Sequence, residues 1–168
     1  MKEIIWIGRG GQGAFTAAKL FGAAYAGRGW SLAFPTFGPE RRGAPVRAFT
    51  KLSDRPISDR SQTKRADHIV VLDKTLYSPE LKWLLKEEGS IIVNTADPID
   101  GVLTYDCDSI AAELRLPTVN TIMMGILSGV SGIVSADEIC GAIKGYMPAK
   151  LHEKNEQAVR RAVDGVIS

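Results

Sequence analysis

The chain of 168 residues predicts a single-domain α/β protein built on an open, mostly parallel sheet with helices on both faces. Three observations carry that expectation. Short β-rich apolar runs alternate with alanine-rich or amphipathic stretches, a glycine-rich turn follows the first of these runs, and no internal repeat, low-complexity tract or linker divides the chain.

Glu3-Ile4-Ile5-Trp6-Ile7 is a compact apolar run closed by glycine and reads as a strand buried on both faces. Residues 14–28 are rich in alanine and apolar over most of a helical circumference, so a helix there lies against the sheet and is covered by a neighbour; Gly27 and Gly29 end it. Residues 30–34 form a second strand, and 34–45, interrupted by prolines and glycines, a shaped loop. Residues 46–52 form a third strand. The runs DHIVVLD at 67–73 and SIIVNT at 90–95 are the clearest later strands, separated by a helical stretch over 79–86. Beyond residue 100 helices dominate, at 109–114, 121–130, 136–146 and 148–166. Ser135 and Glu138 have capping-box spacing. Right-handed crossovers are expected between parallel strands. Ligands of such sheets bind beyond the carboxyl ends of the strands, here the turns at 8–13, 34–45, 73–79 and 94–101.

Composition narrows the function classes. The chain is 45% hydrophobic and 24% charged, with no uninterrupted apolar stretch long enough for a membrane span. Its first residues lack the apolar core and cleavage site of a secretory signal, so a cytoplasmic protein is expected. Cys107 and Cys140 stand far apart, without the spacing of a zinc or iron–sulfur site, and read as reduced thiols. No metal site is expected on this chain. Between residues 40 and 65, eight basic side chains (Arg41, Arg42, Arg47, Lys51, Arg55, Arg60, Lys64, Arg65) face three acidic ones (Glu40, Asp54, Asp59). That segment is therefore +5, and a chain of net +2 is −3 elsewhere. Such a segment attracts an anionic cofactor or an acidic partner. Phe49 is its only aromatic, and no nucleic-acid-binding signature accompanies it, so nucleic acid is not an expected partner.

Gly8-Arg9-Gly10-Gly11-Gln12-Gly13 satisfies G-x-G-x-x-G between the first strand and first helix, which makes the sheet Rossmann-like. Gly8 suits the tight turn, Gly10 a ligand's approach to the backbone, and Gly13 close helix packing. With Gly11 and Gln12, these are the candidate cofactor-binding residues, presenting amides to a phosphate or carboxylate. A dinucleotide also needs a carboxylate about 20 residues further on. Ser31-Leu32-Ala33-Phe34-Pro35 offers none. A purely structural turn remains the other reading.

Arg41 and Arg42 sit in a loop restrained by proline and glycine, where their guanidinium forks suit a carboxylate, a phosphate or a partner's acidic side chain. Glu40 and Gly43 flank them; Glu40 would orient an arginine or meet a partner's cation. Asn120 and Thr121 read first as the cap of an apolar helix. Glu40, Arg41, Arg42, Gly43, Asn120 and Thr121 are thus candidates for ligand or subunit contact. His68 reads as packed and His152 as solvated. No nucleophile elbow or triad is present, and no catalytic residue is assigned.

GRGGQG at 8–13, FGPERRGAPVRAFT at 37–50 and NTIMMG at 120–125 together resemble the γ subunit, or fused γ domain, of pyruvate and other 2-oxoacid:ferredoxin (flavodoxin) oxidoreductases. The likeness extends over nearly the whole chain. Ala44-Pro45-Val46 after the arginine loop is more similar to the pyruvate/ketoisovalerate branch, and Lys150-Leu151 with Lys154-Asn155 resembles that family's final helix. The resemblance implies a complex that decarboxylates a 2-oxoacid oxidatively, with coenzyme A, to acyl-CoA and carbon dioxide, and passes electrons to ferredoxin. It implies α, β and δ subunits as partners. Thiamine diphosphate, magnesium and iron–sulfur clusters would reside chiefly on those chains, and the γ subunit would complete the assembly near the active-site cleft and coenzyme A path. Two other readings stand beside it: a free-standing nucleotide-binding module or NAD(P)-dependent reductase, and a non-catalytic interaction scaffold.

Overall fold

The computed structural model describes residues 1–36 and 43–167. Six strands form one sheet: β1 (Lys2–Arg9), β2 (Trp30–Pro35), β3 (Pro45–Ser53), β4 (Ala66–Val71), β5 (Leu85–Asn94) and β6 (Leu103–Tyr105). Five α-helices accompany them: α1 (Ala14–Tyr25), α2 (Cys107–Leu114), α3 (Asn120–Ser131), α4 (Ala136–Tyr146) and α5 (His152–Ile167). The strand order is β2-β3-β1-β4-β5-β6. β1, β4, β5 and β6 are parallel, and β3 runs antiparallel between β1 and β2. The expected mostly parallel α/β sheet is therefore present, with one reversed strand in its interior.

Side-chain alternation explains the continuous apolar runs. Ile4, Trp6, Val70, Leu72 and Ile92 point to one face, where they pack with residues of all five α-helices. Ile5, Ile7, Ile69, Val71, Ile91 and Val93 point to the other. β1, β4 and the second half of β5 are buried on both sides, so neither register there can be polar. Helices cover both faces, but unequally: the second face is covered by the 3-10 helices Lys74–Leu76 and Pro79–Leu84 through Leu76, Leu81 and Leu84, together with Ile99 and Val102.

Several expected boundaries shift. The helix expected over 79–86 is a 3-10 helix that ends at Leu84, and β5 begins at once at Leu85. Pairing between β4 and β5 is irregular between Ala66 and His68. Strand β6, three residues at the sheet margin, was not expected. The last helix is preceded by a separate 3-10 helix at Ala149–Leu151. The Ser135–Glu138 capping box is present in both directions, Glu138 N donating to Ser135 Oγ and Ser135 N to Glu138 Oε2. His68 is packed as expected, its Nδ1 2.7 Å from Ser90 Oγ. His152 is not simply solvated: its Nε2 lies 2.7 Å from the Met147 carbonyl.

Cys107 and Cys140 are free and buried. Burial, reinforced by the charges of Asp108 and Asp106, pushes the Cys107 thiol up to about 12, and burial also raises Cys140. Thiolate is the reactive form. Iodoacetamide at pH 8 is therefore expected to leave native Cys107 unlabelled while labelling both cysteines after urea unfolding, read by intact-protein mass spectrometry. Rapid native labelling of Cys107 would contradict this environment.

Candidate functional site at the carboxyl edge of the sheet

Adjacent strands β1 and β4 lead to opposite sides of the sheet: the chain leaves β1 toward α1 and β2, and leaves β4 toward β5. The crevice outside their carboxyl ends is the topological switch point, where open α/β sheets place ligands. The glycine turn follows β1 at this point, and Asp73 and Thr75 follow β4.

Because β3 is antiparallel to β1, its first residues also reach this edge. Gly10 N donates to the Ala44 carbonyl at 2.8 Å, and Gly43 N donates to the Gly10 carbonyl at 3.3 Å. The foot of the arginine loop is thus hydrogen-bonded to the glycine turn. Glu40, Arg41 and Arg42 lie outside the described residues; Gly43, the next residue, has φ 85° and sits on the turn. Since the Gly10 amide is engaged by Ala44, it is not free for a ligand.

Arg9 braces the assembly. Its guanidinium donates to the Gly43 carbonyl at 3.0 Å and to Thr75 Oγ1 at 2.8 Å, with Nε 3.4 Å from Asp73 Oδ2. Gln12 closes the turn: its Oε1 accepts from Arg9 N at 2.6 Å, and its Nε2 donates to Asp73 Oδ2 at 3.1 Å. Asp73 Oδ1 accepts from the amide and hydroxyl of Thr75. Burial opposes ionisation of Asp73, but the Thr75 hydroxyl and amide, Gln12 and the Arg9 charge outweigh it, holding the carboxyl below its ordinary value. One carboxylate therefore fixes Gln12 and Arg9, which fix both glycine turn and loop. Sequence reading missed Arg9, Asp73 and Thr75. The available signal was local: an Asp-x-Thr at the end of the run 67–73, on the edge already expected to hold ligands.

Helix α1 starts at Ala14 with Gly13 as its cap, no side-chain cap and no acidic residue in the first turn. The Ala17 amide is bonded to the Gly13 carbonyl. The amides of Ala14, Phe15 and Thr16 precede the helical ladder. They border a hollow of about 310 Å³ lined by Arg9, Gly10, Gly11, Gly13 and Val46. Helix-start amides that no side chain among the described residues caps, beside a guanidinium, suit a phosphate or carboxylate. A neighbouring hollow of about 370 Å³, reached from Gly11 and Gln12, is walled by Leu72, Asp108 and residues 116–119. Its wall is fixed by buried Asn94, whose Nδ2 donates to the Leu72 carbonyl and Asp108 Oδ1 and whose Oδ1 accepts from Cys107 N.

Asn120 and Thr121 differ from their expected role as a cap. Val119 is the cap residue of α3 and Asn120 lies inside the first turn. Asn120 Oδ1 accepts from Thr118 Oγ1 and Thr121 N, and its Nδ2 points at the Gly13 carbonyl, 3.4 Å away. Asn120 therefore joins the glycine turn. Thr121 does not: it is fully buried and donates to Asn155 Oδ1 at 2.7 Å, tying α3 to α5.

Gly13 is the glycine this geometry constrains most. Its φ is 82°, and an added Cβ would lie 2.5 Å from Asn120 Nδ2 and 3.3 Å from Asn120 Cβ. Gly13→Ala is expected to cost about 1–3 kcal/mol, measured by urea unfolding. Gly11→Ala, at φ 92° with no described residue within 4 Å of the added carbon, should cost less. Equal losses for the two would rule out the Asn120 contact as a constraint.

The basic segment is not one patch. Lys51 is buried, 3.6 Å from Glu3 and 3.3 Å from Asp59. Strand β3 runs away from the glycine turn and pairs Leu52 with Lys2, so Arg55, Arg60, Lys64 and Arg65 follow at the opposite, amino end of the sheet. Of the segment's described basic residues, Arg47, which pairs with Ile7, lies toward the glycine-turn end. Among the described residues, no group of three or more His, Cys, Asp or Glu side chains is arranged to hold a metal ion.

A family model described as pyruvate ferredoxin/flavodoxin oxidoreductase matches residues 3–165. The chain is 44% identical to the pyruvate synthase subunit PorC of Methanothermobacter marburgensis, over 98% of this chain and 97% of that one. It is 40% identical to the common γ subunit of the pyruvate/ketoisovalerate oxidoreductases of Pyrococcus furiosus, over 98% and 96%. The crystal structure of pyruvate oxidoreductase subunit PORC from Thermotoga maritima superimposes with a TM-score of 0.82 at 34% identity, covering 97% of this chain and 95% of that one.

Proposed function

The chain belongs to the pyruvate ferredoxin/flavodoxin oxidoreductase family, and on that premise we propose that it is the γ-type subunit of a multi-subunit 2-oxoacid:ferredoxin oxidoreductase. The complex decarboxylates pyruvate or a related 2-oxoacid oxidatively, forms acyl-CoA from coenzyme A and delivers the electrons to ferredoxin. It works in the cytoplasm with α, β and δ chains or a fused equivalent. This chain contributes a platform with an anion-recognising edge, made of the glycine turn, the amides opening α1 and the loop of Glu40, Arg41 and Arg42. The supporting observation is the pairing of Gly10 with Gly43 and Ala44, which ties that loop's foot to the turn.

The described residues do not fit the complex's metal groups. Cys107 and Cys140 are buried on separate helices, and no acidic or histidine cluster offers a magnesium site. In this reading thiamine diphosphate, which supplies the carbanion chemistry when bound, and the iron–sulfur clusters are held chiefly by the partner chains. Arg41 and Arg42 meet an anionic group of coenzyme A or an acidic side chain of a sister subunit.

Reconstitution tests this reading. Mixing the chain with its partner subunits is expected to restore 2-oxoacid- and CoA-dependent reduction of ferredoxin, whereas the chain alone shows none. Charge reversal of both loop arginines (Arg41→Glu with Arg42→Glu) is expected to weaken assembly or raise the KM for coenzyme A at least tenfold, about 1.4 kcal/mol. Full turnover without the chain, or micromolar NAD(H) binding by the isolated chain, would favour the nucleotide-binding alternative instead.

A further inference from the structure

The glycine turn and the foot of the arginine loop at Gly43 and Ala44 are tied to the end of β4 by a circuit of hydrogen bonds that meets at one carboxylate. Asp73 Oδ1 serves its own strand end, accepting from Thr75 N at 3.0 Å and from the Thr75 hydroxyl at 2.6 Å. Its Oδ2 faces across the crevice, 3.1 Å from Gln12 Nε2 and 3.4 Å from Arg9 Nε. Gln12 passes the constraint to the Arg9 amide, and the Arg9 guanidinium passes it to the Gly43 carbonyl and back to Thr75. Gly10 closes the circuit by bonding to Gly43 and Ala44.

Arg9 and Gln12 line the two hollows beside the turn; Asp73 lines neither. Nor does charge explain a carboxylate here, since a negative group beside an anion-receiving edge opposes the ligand. We propose that Asp73 is a positioning residue of the oxidoreductase: without touching the ligand, it holds the glycine turn and the loop's foot in the geometry that receives a phosphate or carboxylate. This role rests on the γ-subunit reading. The anion comes from coenzyme A or from a sister chain, and the two sources move different measured constants.

Asp73→Asn separates positioning from electrostatics by sign. Loss of the charge by itself favours an anion at this edge. An asparagine, however, keeps an acceptor for the Thr75 amide only by turning its NH2 toward Gln12 Nε2 and Arg9 Nε, which are donors themselves. The local turn then survives and both bonds across the crevice are lost. Positioning therefore predicts weaker recognition, and electrostatics stronger.

Hydrogen exchange of the full chain reads the geometry without reference to activity. Asp73→Asn is expected to speed exchange of the Gly10 and Gly43 amides by about tenfold or more, while the amides of α5 change far less. In complexes reconstituted with the partner chains it is expected to raise the KM for coenzyme A, or the dissociation constant for assembly where a sister chain supplies the anion, by about tenfold, with kcat at saturation within about twofold of wild type. Gln12→Glu in the Asp73→Asn background exchanges donor and acceptor across the same 3.1 Å gap and should restore both readouts. Unaltered exchange at Gly10 and Gly43, equal acceleration in α5, neither constant raised, a loss confined to kcat, or a swap no better than Asp73→Asn would each overturn the assignment. If the wild-type chain itself fails to restore turnover, the γ-subunit reading falls, and the exchange result still decides what Asp73 holds.

Discussion

Trp6→Ala is expected to lower stability by about 3–5 kcal/mol, the range for truncating a buried aromatic. Trp6 is fully buried at the centre of β1, with its ring edge-on to Phe21 of α1 at a centroid distance of 5.6 Å. Its Nε1 donates to Thr50 Oγ1, which in turn donates to the Ala18 carbonyl. Truncation opens a cavity between sheet and α1 and also removes the donor to a buried hydroxyl. Against a typical total of about 5–15 kcal/mol, that is enough to unfold a large fraction of the protein on mild warming. Urea unfolding gives the measurement: the midpoint should fall with little change in slope. Trp83, 74% exposed, is the control; Trp83→Ala should change stability by no more than about 0.5 kcal/mol. Similar losses for both variants would refute the packing account.

Gly125→Val should be comparably damaging for the opposite reason. A Cβ at Gly125 would lie 2.6 Å from the Val159 carbonyl oxygen and 2.7 Å from Ala162 Cβ, and one at Gly129 would lie 2.8 Å from Val166 Cβ. Two glycines one turn apart on α3 thus allow α5 to approach, and the nearest obstacle is backbone, which no rotamer change relieves. Moving α5 away also strains the buried Thr121–Asn155 hydrogen bond. Overpacking of this kind costs about 1–3 kcal/mol, and loss of the buried bond about 1–3 more. The expected outcome is a loss of about 3 kcal/mol or greater by urea unfolding, with Gly125→Ala in between. An isostable Gly125→Val would show that α5 docks without the glycine contact.

Much of the fold was legible because its determinants are local. The apolar run at 3–7, the helix after the glycines and the Ser135–Glu138 box each depend on neighbours within a few residues. The family likeness was legible for a related reason: GRGGQG, the arginine loop and NTIMMG are contiguous motifs. What could not be read is long-range. Arg9 reaches Thr75 across 66 positions, Gln12 reaches Asp73 across 61, and Asn120 reaches Gly13 across 107. Thr121 looked equivalent to Asn120 in sequence, yet one helical step turns it away from the crevice and into α5. Likewise, the basic count over 40–65 treated as one segment what a reversed strand divides between the two ends of the sheet.

The sequence by itself determined the fold class, the position of the glycine turn and the family, since periodicity, glycine spacing and contiguous motifs are properties of the chain in order. Only the tertiary structure decided that β3 inserts antiparallel between β1 and β2 and that its first residues bond to Gly10. The physical reason is that an apolar run buried on both faces satisfies either strand direction. Which neighbour it pairs with is settled by backbone hydrogen bonds, and these carry no side-chain signature.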